Sequence, residues 1–393
     1  MSDHAILSPS GASRWMTCTP SARLEGLFPD SASDFAAEGT LAHTIGELQL
    51  RAFYRIGDLD VLAREMQLLV NNPMYNLDMQ AYADEYVSYV VEQFEAAKKV
   101  TSDAVISIER KLNLTDYIPE SFGTGDTIII SDHTLAIIDL KYGKGVRVSA
   151  DQNKQMMLYA LGALREFDML YDIEEVLMTV YQPRMDNVSS FMMTVSDLRE
   201  WAETELKPKA QMAFDGAGEF VAGNHCGFCR AKVTCKALAD EAMKMAQYEF
   251  ADAVLLTDDE IADILTRVDL FKSWATSIQE YAFKEALAGK KWSGFKLVEG
   301  RSNRCYSDQE KVEYVLSQKG YPEELTHRRT LKPIGDMEKV LSKKVFEEVL
   351  TKGGLILKPT GKPTLVPSTD KRVEWNSSSS AVNDFTEVEE DIL

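Results

Sequence analysis

Two aspartates and a lysine have the most to offer chemically. Gly123-Thr-Gly-Asp126 is followed thirteen residues later by Asp139-Leu140-Lys141. In an extended strand the side chains alternate between faces. Asp139 and Lys141 therefore share one face with Ile137, and Leu140 packs with Ile138 on the other. A hairpin would set Asp126, at the start of one strand, beside Asp139 near the end of the next. Two carboxylates converging on one point repel unless a cation lies between them. A hard divalent ion such as Mg2+ or Mn2+ takes oxygen ligands, and a carboxylate pair supplies them. A lysine two residues on can orient a water or offset charge developing on a phosphate. That is the minimum equipment for hydrolysing a phosphodiester. His43, at the end of Glu38-Gly-Thr-Leu-Ala-His43, is placed to approach the same ion. Gln155 and Tyr159, four apart on one helical face, can hydrogen-bond a DNA backbone or the lysine.

The cysteines carry a separate signal. Cys226-Gly-Phe-Cys229 is followed by Cys235, while Cys18 lies in Trp15-Met-Thr-Cys18-Thr-Pro20 near the other end. A reducing compartment disfavours structural disulfides. Three thiolates close together and one far away can instead hold a 4Fe–4S cluster or a zinc ion. Either would clamp the N-terminal segment to the residues after the strand region and close a very long loop. Cys305 has no partner at a suggestive spacing and reads as a free, buried thiol.

The elements that must position these residues follow from periodicity. Ser33–Phe53 reads as a helix with Phe35, Leu41, Ile45 and Leu48 on an apolar face. Met79–Lys99 is another, with Asp78 as its cap and Tyr82, Tyr86, Tyr89 and Val90 at helical spacing. Strands are expected at 104–111, 127–131, 134–141 and 175–181, with Asp132-His133 as the turn of a hairpin. Helices are expected at 151–165, at 195–214 (opened by Ser196), and at 258–288 behind a Thr257/Glu260 capping box. Helix, three strands, helix, strand makes an α/β core around a small mixed sheet. Beyond it lie two short helices (307–319 and 335–351) and strand-like pieces at 295–298 and 355–358.

Net charge is −19, which argues against coating nucleic acid through bulk electrostatics. Yet residues 290–372 carry 18 Lys and Arg against 11 Asp and Glu, a basic segment in an acidic chain. No apolar run approaches the roughly 20 residues of a membrane-spanning helix. The N-terminus lacks the basic start and apolar stretch of a secretory signal. A cytoplasmic protein with no membrane partner is expected.

Taken in order, the early Cys with its following proline, Gly-Thr-x-x-His, Gly-Asp, Asp-x-Lys, Gln-x-x-x-Tyr and Cys-x2-Cys-x5-Cys resemble the PD-(D/E)XK nuclease superfamily. More narrowly they are similar to its RecB-like branch with an iron–sulfur staple. That branch includes the AddB-type and CRISPR-associated adaptation nucleases, and within it the chain looks closest to a phage-encoded family of unknown function. The resemblance spans roughly residues 5–240. It implies a restriction-endonuclease-like core in which His43, Asp126 and Asp139 ligate Mg2+ or Mn2+ with the backbone carbonyl of Leu140. Lys141 would position the attacking water, and Gln155 and Tyr159 would help fix the substrate strand. Cys18, Cys226, Cys229 and Cys235 would hold the 4Fe–4S cluster, with zinc as the alternative. Many relatives carry Glu where this chain has Asp139, one methylene shorter.

The expected organisation is a nuclease domain over 1–245, a DNA-contacting α+β domain over 246–369 and a flexible acidic tail over 370–393. The expected activity is a metal-dependent DNA exonuclease that resects ends in phage recombination or replication, with Arg301, Arg304, Arg328 and Arg329 gripping the DNA. A CRISPR-adaptation-like trimming nuclease and a catalytically inactive DNA-binding scaffold are the alternatives. The tail holds acidic residues around Phe385 and Val388, a composition suited to a single-strand-binding or recombination protein if it does more than aid solubility.

Overall fold

Ile128-Ile129-Ile130 and Ile137-Ile138 are apolar on both faces of their strands, so the sheet that carries them must be covered on both sides. The structure, a computed structural model, describes residues 5–29, 34–244, 257–295, 314, 318, 346–352 and 355. In chain order the elements are α1 (Ala12–Thr17), α2 (Ser21–Glu25), α3 (Asp34–Tyr54), α4 (Leu59–Val70), α5 (Leu77–Val100), β1 (Val105–Asn113), β2 (Phe122–Ser131) and β3 (His133–Leu140). They continue with α6 (Lys154–Phe167), β4 (Ile173–Gln182), β5 (Asn187–Thr194), α7 (Val195–Trp201), α8 (Lys207–Asp215), α9 (Lys236–Met243) and α10 (Asp258–Leu287).

The five strands form one mixed sheet in the order β1-β2-β3-β4-β5. Only β3 and β4 run parallel, and α6 makes the crossover between them. One face of the sheet packs against α6, α1, α7 and α8 through Ile128, Ile130, Leu135, Ile137, Val176 and Met178. The other packs against α3 and α5 through Ile108, Ile129, Ile138 and Leu140. The chain is thus an α/β protein whose mixed sheet is flanked by helices. Among the described residues no helix is long and apolar enough to cross a membrane.

Several expectations shift. Phe35 is 80 % exposed, whereas Leu41, Ile45 and Leu48 are buried. The cap of α5 is Asn76, whose side chain accepts from Met79 N; Asp78 sits in the first turn instead. The helix expected over 195–214 is capped by Thr194 rather than Ser196 and passes through a π-helical turn, Ala202–Leu206. β5 is a strand that periodicity did not show. The Thr257/Glu260 capping box is present.

The chain divides into two compact units, Met1–Trp292 and Ser293–Leu393, so α10 groups with the first rather than with the segment from 246. Within the second unit the described structure is chiefly a π-helical turn, Glu347–Thr351. The elements expected at 295–298, 307–319, 335–351 and 355–358 lie largely outside the described residues. So, entirely, do Arg301, Arg304, Arg328, Arg329, Cys305 and the 370–393 tail.

Candidate metal centre and cysteine cavity

The site forms where two strands part. β2 and β3 pair from the Asp132-His133 turn only as far as Thr127↔Ile138. Beyond that pair the N–H of Leu140 donates not to a ladder carbonyl but to Asp126 Oδ2, at 2.8 Å. Asp126 is the fifth residue of β2, not its first, because the strand begins at Phe122.

The side-chain alternation also slips here. Gly123 and Gly125 face α6: a Cβ on Gly123 would lie 2.9 Å from Tyr159 Cε1, and one on Gly125 3.4 Å from Ile128 Cδ1. Thr127 faces the other way, hydrogen-bonded to Tyr86 of α5 at 2.8 Å. Asp126 turns to that same side, toward α3. In the neighbouring strand Glu109 has a left-handed backbone, φ 49°, which is uncommon for a residue other than glycine. On one side of it Ile108 faces α3 and α5; on the other Leu112 faces α6. The paired slips in β1 and β2 aim Glu109 and Asp126 at one point below α3.

His43 meets them there. Its Nδ1 is 3.2 Å from Asp126 Oδ2, and its ring keeps 29 % of its surface exposed. Donor atoms of His43, Glu109 and Asp126 all lie within 4.8 Å of one another, a spacing one cation can bridge. Glu47, Leu50, Tyr86, Ile108 and Leu140 complete the lining of the pocket at this point. Asp139 reaches the site from the α6 face. Its carboxylate pairs with Lys141 Nζ at 2.8 Å from Oδ2 and 3.1 Å from Oδ1. Gln155 Nε2 is 3.5 Å from Asp139 Oδ1 and donates to the Tyr159 hydroxyl at 2.9 Å.

Sequence reasoning thus located His43, Asp126, Leu140, Asp139, Lys141, Gln155 and Tyr159 in one neighbourhood. The tight donor group, however, is His43 and Asp126 with Glu109; Asp139 is engaged by lysine. Glu109 was missed because Ile106, Ile108, Leu112 and Leu114 mimic a single regular face, which would put Glu109 in solvent.

Electrostatics follow from burial and close charges. Burial opposes charge on His43, but the Asp126 carboxylate outweighs it, aided by Asp139, and raises the imidazole to about 9. Burial would raise Asp126 too, yet His43, Lys141 and the Leu140 N–H hold it below the usual carboxylate range. Asp139 is pushed up by burial and by Asp126, against the pull of Lys141. Glu109 rises to about 8, through burial first and then the charges of Asp126 and Glu47. Lys141 stays cationic: its burial is overcome by Asp139 and Asp126. Asp139 Oδ2 is buried and has no directed hydrogen bond beyond the lysine ion pair. A buried carboxylate whose Oδ2 is held only by a lysine, beside carboxylate and imidazole donors, fits a hard divalent cation.

The four expected cysteines line a second cavity, with Arg14, Ser21, Leu24 and His225 among its walls. Cys18 follows α1, Cys226 and Cys229 belong to the 3-10 turn Asn224–Phe228 and its cap, and Cys235 caps α9. All four are free thiols. Burial raises Cys226 and lifts Cys229 to about 11. Glu25 braces the cavity, accepting from Arg14 Nε at 2.7 Å and from Arg230 N at 2.9 Å. Among the described residues the donor groups held within 4.8 Å are the His43 group and an exposed His133, Asp172 and Glu174 group, neither of which includes a cysteine.

Among solved structures, one described as "Crystal structure of SSO0001" is similar at 14 % identity over 50 % of this chain and 85 % of that one. Its TM-score is 0.20, too low to support any argument about the fold. Residues 4–373 match DUF2800, described as "Protein of unknown function (DUF2800)", and the chain belongs to that family.

Proposed function

We propose that this member of the family is a divalent-metal-dependent DNA exonuclease with a restriction-endonuclease-like core of the RecB type, cytoplasmic and acting on DNA ends in phage recombination or replication. The observation that carries this reading is the gathering of His43, Asp126, Glu109, Asp139 and Lys141 where β2 and β3 part. His43, Asp126 and Asp139 would hold Mg2+ or Mn2+, with the Leu140 carbonyl, and Glu109 stands beside them as a further donor. A bound divalent ion supplies Lewis acidity to a phosphodiester and lowers the pKa of water. The chain's own residues do the rest. Lys141, cationic and fixed on Asp139, offsets charge on the phosphate oxygens and orients the water. Gln155, held by Tyr159, offers an amide to the strand. The basic segment with Arg301, Arg304, Arg328 and Arg329 would hold the DNA.

The four cysteines would hold a 4Fe–4S cluster. A single zinc with Zn–S near 2.3 Å needs its sulfurs about 3.8 Å apart. A 4Fe–4S cluster takes the same four thiolates, and the gathering of the four cysteines around one cavity is what supports this reading. Anaerobically purified protein should be brown, and Cys229→Ser should lose the colour; colourless protein with stoichiometric zinc would overturn this assignment.

The deciding assay is digestion of single- and double-stranded DNA labelled at either end, with Mg2+ or Mn2+. Wild type should degrade DNA only with metal, and Asp139→Ala and Lys141→Ala should not. Wild type that binds DNA yet stays inert on every substrate would replace this reading with a DNA-binding scaffold.

A further inference from the structure

The segment between β3 and α6 carries Lys141 at one end and leads to Gln155 at the other, yet its tip has no packing of its own. A Cβ added to Gly143 or Gly145 would meet nothing within 4 Å. What holds the segment is a pair of buried amides on the β4–β5 hairpin. Gln182 and Asn187, 1 % and 4 % exposed, face each other across the mouth of that hairpin. Gln182 Nε2 donates to Gly143 O at 2.7 Å and to Val146 O at 2.9 Å. Its Oε1 accepts from Val148 N and from Asn187 Nδ2, both at 3.2 Å. Asn187 Nδ2 also donates to Val148 O at 2.9 Å, and its Oδ1 accepts from Arg147 Nε at 2.9 Å. Further along, Ser189 Oγ accepts from Ala150 N at 3.0 Å.

The two ends of the segment are tied to the same template. Lys141 N donates to Tyr181 O at 2.8 Å, next door to Gln182. Asn153, the cap of α6, accepts from Gln155 N at 3.1 Å and donates to Ser149 O at 3.0 Å. The turn of the hairpin reaches the third wall of the site. Arg184 pairs with Glu38 of α3 at 3.1 Å and lies over the Tyr142 ring, so it touches both the helix of His43 and the residue after Lys141. A fully satisfied buried amide network fixes one arrangement, because any slip leaves desolvated polar groups unpaired.

We propose that Gln182 and Asn187 are positioning residues: the β4–β5 hairpin is the template that sets Lys141 and Gln155 against Asp139. This rests on the hydrolytic reading of the site and adds two residues that lie in none of its motifs. They touch neither metal donors nor substrate, so their effect should fall on turnover. A misplacement of about 1 Å is enough to cost on the order of 100-fold in rate.

The test compares wild type with Gln182→Met and with the near-isosteric Asn187→Asp, which keeps the acceptor for Arg147 but removes the donor to Val148 O and to Gln182 Oε1. For each we would measure kcat and KM on end-labelled DNA, Mn2+ affinity, melting temperature and the rate of trypsin cleavage after Lys144 and Arg147. Expected are a fall in kcat of about 10- to 100-fold, KM and Mn2+ affinity within about 3-fold, and trypsin cleavage at least about 10-fold faster. A loop opened to trypsin with kcat within 2-fold would overturn the proposal. So would a loss of kcat that merely tracks lost Mn2+ binding and melting temperature in Asn187→Asp. If wild type itself were inert, the hydrolytic reading would fall, and trypsin rates unchanged in both variants would then refute the template separately.

Discussion

Binding a divalent ion at the β2–β3 site should expel protons, and the share from His43 and Glu109 can be worked from their raised values. With His43 near 9 and Glu109 near 8, a metal-free site at pH 7 holds both protons. An ion that uses these donors must displace them, since imidazole and carboxylate bind metals deprotonated. Roughly 1.9 protons should therefore be released per ion at pH 7, about 1.0 from His43 and about 0.9 from Glu109. Raising the pH from 7 to 8 removes much of that competition. The apparent affinity should tighten roughly 50-fold, about 9-fold through His43 and about 5-fold through Glu109. Titration calorimetry with Mn2+ in two buffers of different ionisation heat gives the proton count directly. Glu109→Gln should lower the count to about one and the pH effect to about 9-fold if Glu109 is a donor. Release of less than about half a proton by wild type at pH 7 would refute the placement of His43 in the metal's shell.

Three further outcomes follow from packing and charge. In chelator, the metal-free protein should lose stability from about pH 4.5 to about 9: charging the raised Glu109 costs stability between about 4.5 and 8, and the raised His43 stabilises fully below about 6.5 and loses that contribution as pH climbs through about 9. Melting curves of His43→Gln should show a flatter dependence, and an identical slope would count against the ion pair with Asp126. Gly162→Ala in α6 should destabilise by about 1–3 kcal/mol despite alanine's better helix propensity, because its Cβ would lie 2.8 Å from Leu112 Cβ, and urea denaturation measures it. Glu25→Ala should cost about 1–3 kcal/mol, since it strands the Arg14 guanidinium and the Arg230 N–H, whereas Glu25→Gln should recover part of that in the same denaturation assay.

The isoleucine runs made the covered sheet legible, and with it the opposed placement of Ile137 and Ile138. The Asp-x-Lys spacing likewise put Asp139 and Lys141 together, and the cysteine spacing brought four thiols to one cavity. What was hidden depended on backbone that departs from its period. Glu109 looked like a solvent-facing position because the apolar residues around it keep even numbers while its left-handed backbone sends them to opposite faces. β2 looked five residues shorter because its first half, with Gly123 and Gly125, lacks the β-branched run that marks 127–131; the absence of a Cβ at Gly123 is what admits Pro9 and the Tyr159 ring. β5 escaped notice as an edge strand with Ser189 and Ser190 at its centre, buried at Asn187 alone and only half-buried at alternate positions after it. The amides of Gln182 and Asn187 had no sequence signal, since their partners are backbone atoms of a loop about 40 residues away.

The tie between the two ends of the first unit bears on how the chain is made. Leu7, Ala12, Trp15 and Met16 help wall the α6 side of the core, and Thr19 Oγ1 donates to Ala217 O across 198 residues of sequence. On the ribosome these early residues therefore wait for the sheet, α6 and the segment after α8 before they find their partners, while the apolar face of the half-built sheet stands open. Chaperone dependence and inclusion-body formation should concentrate in that interval.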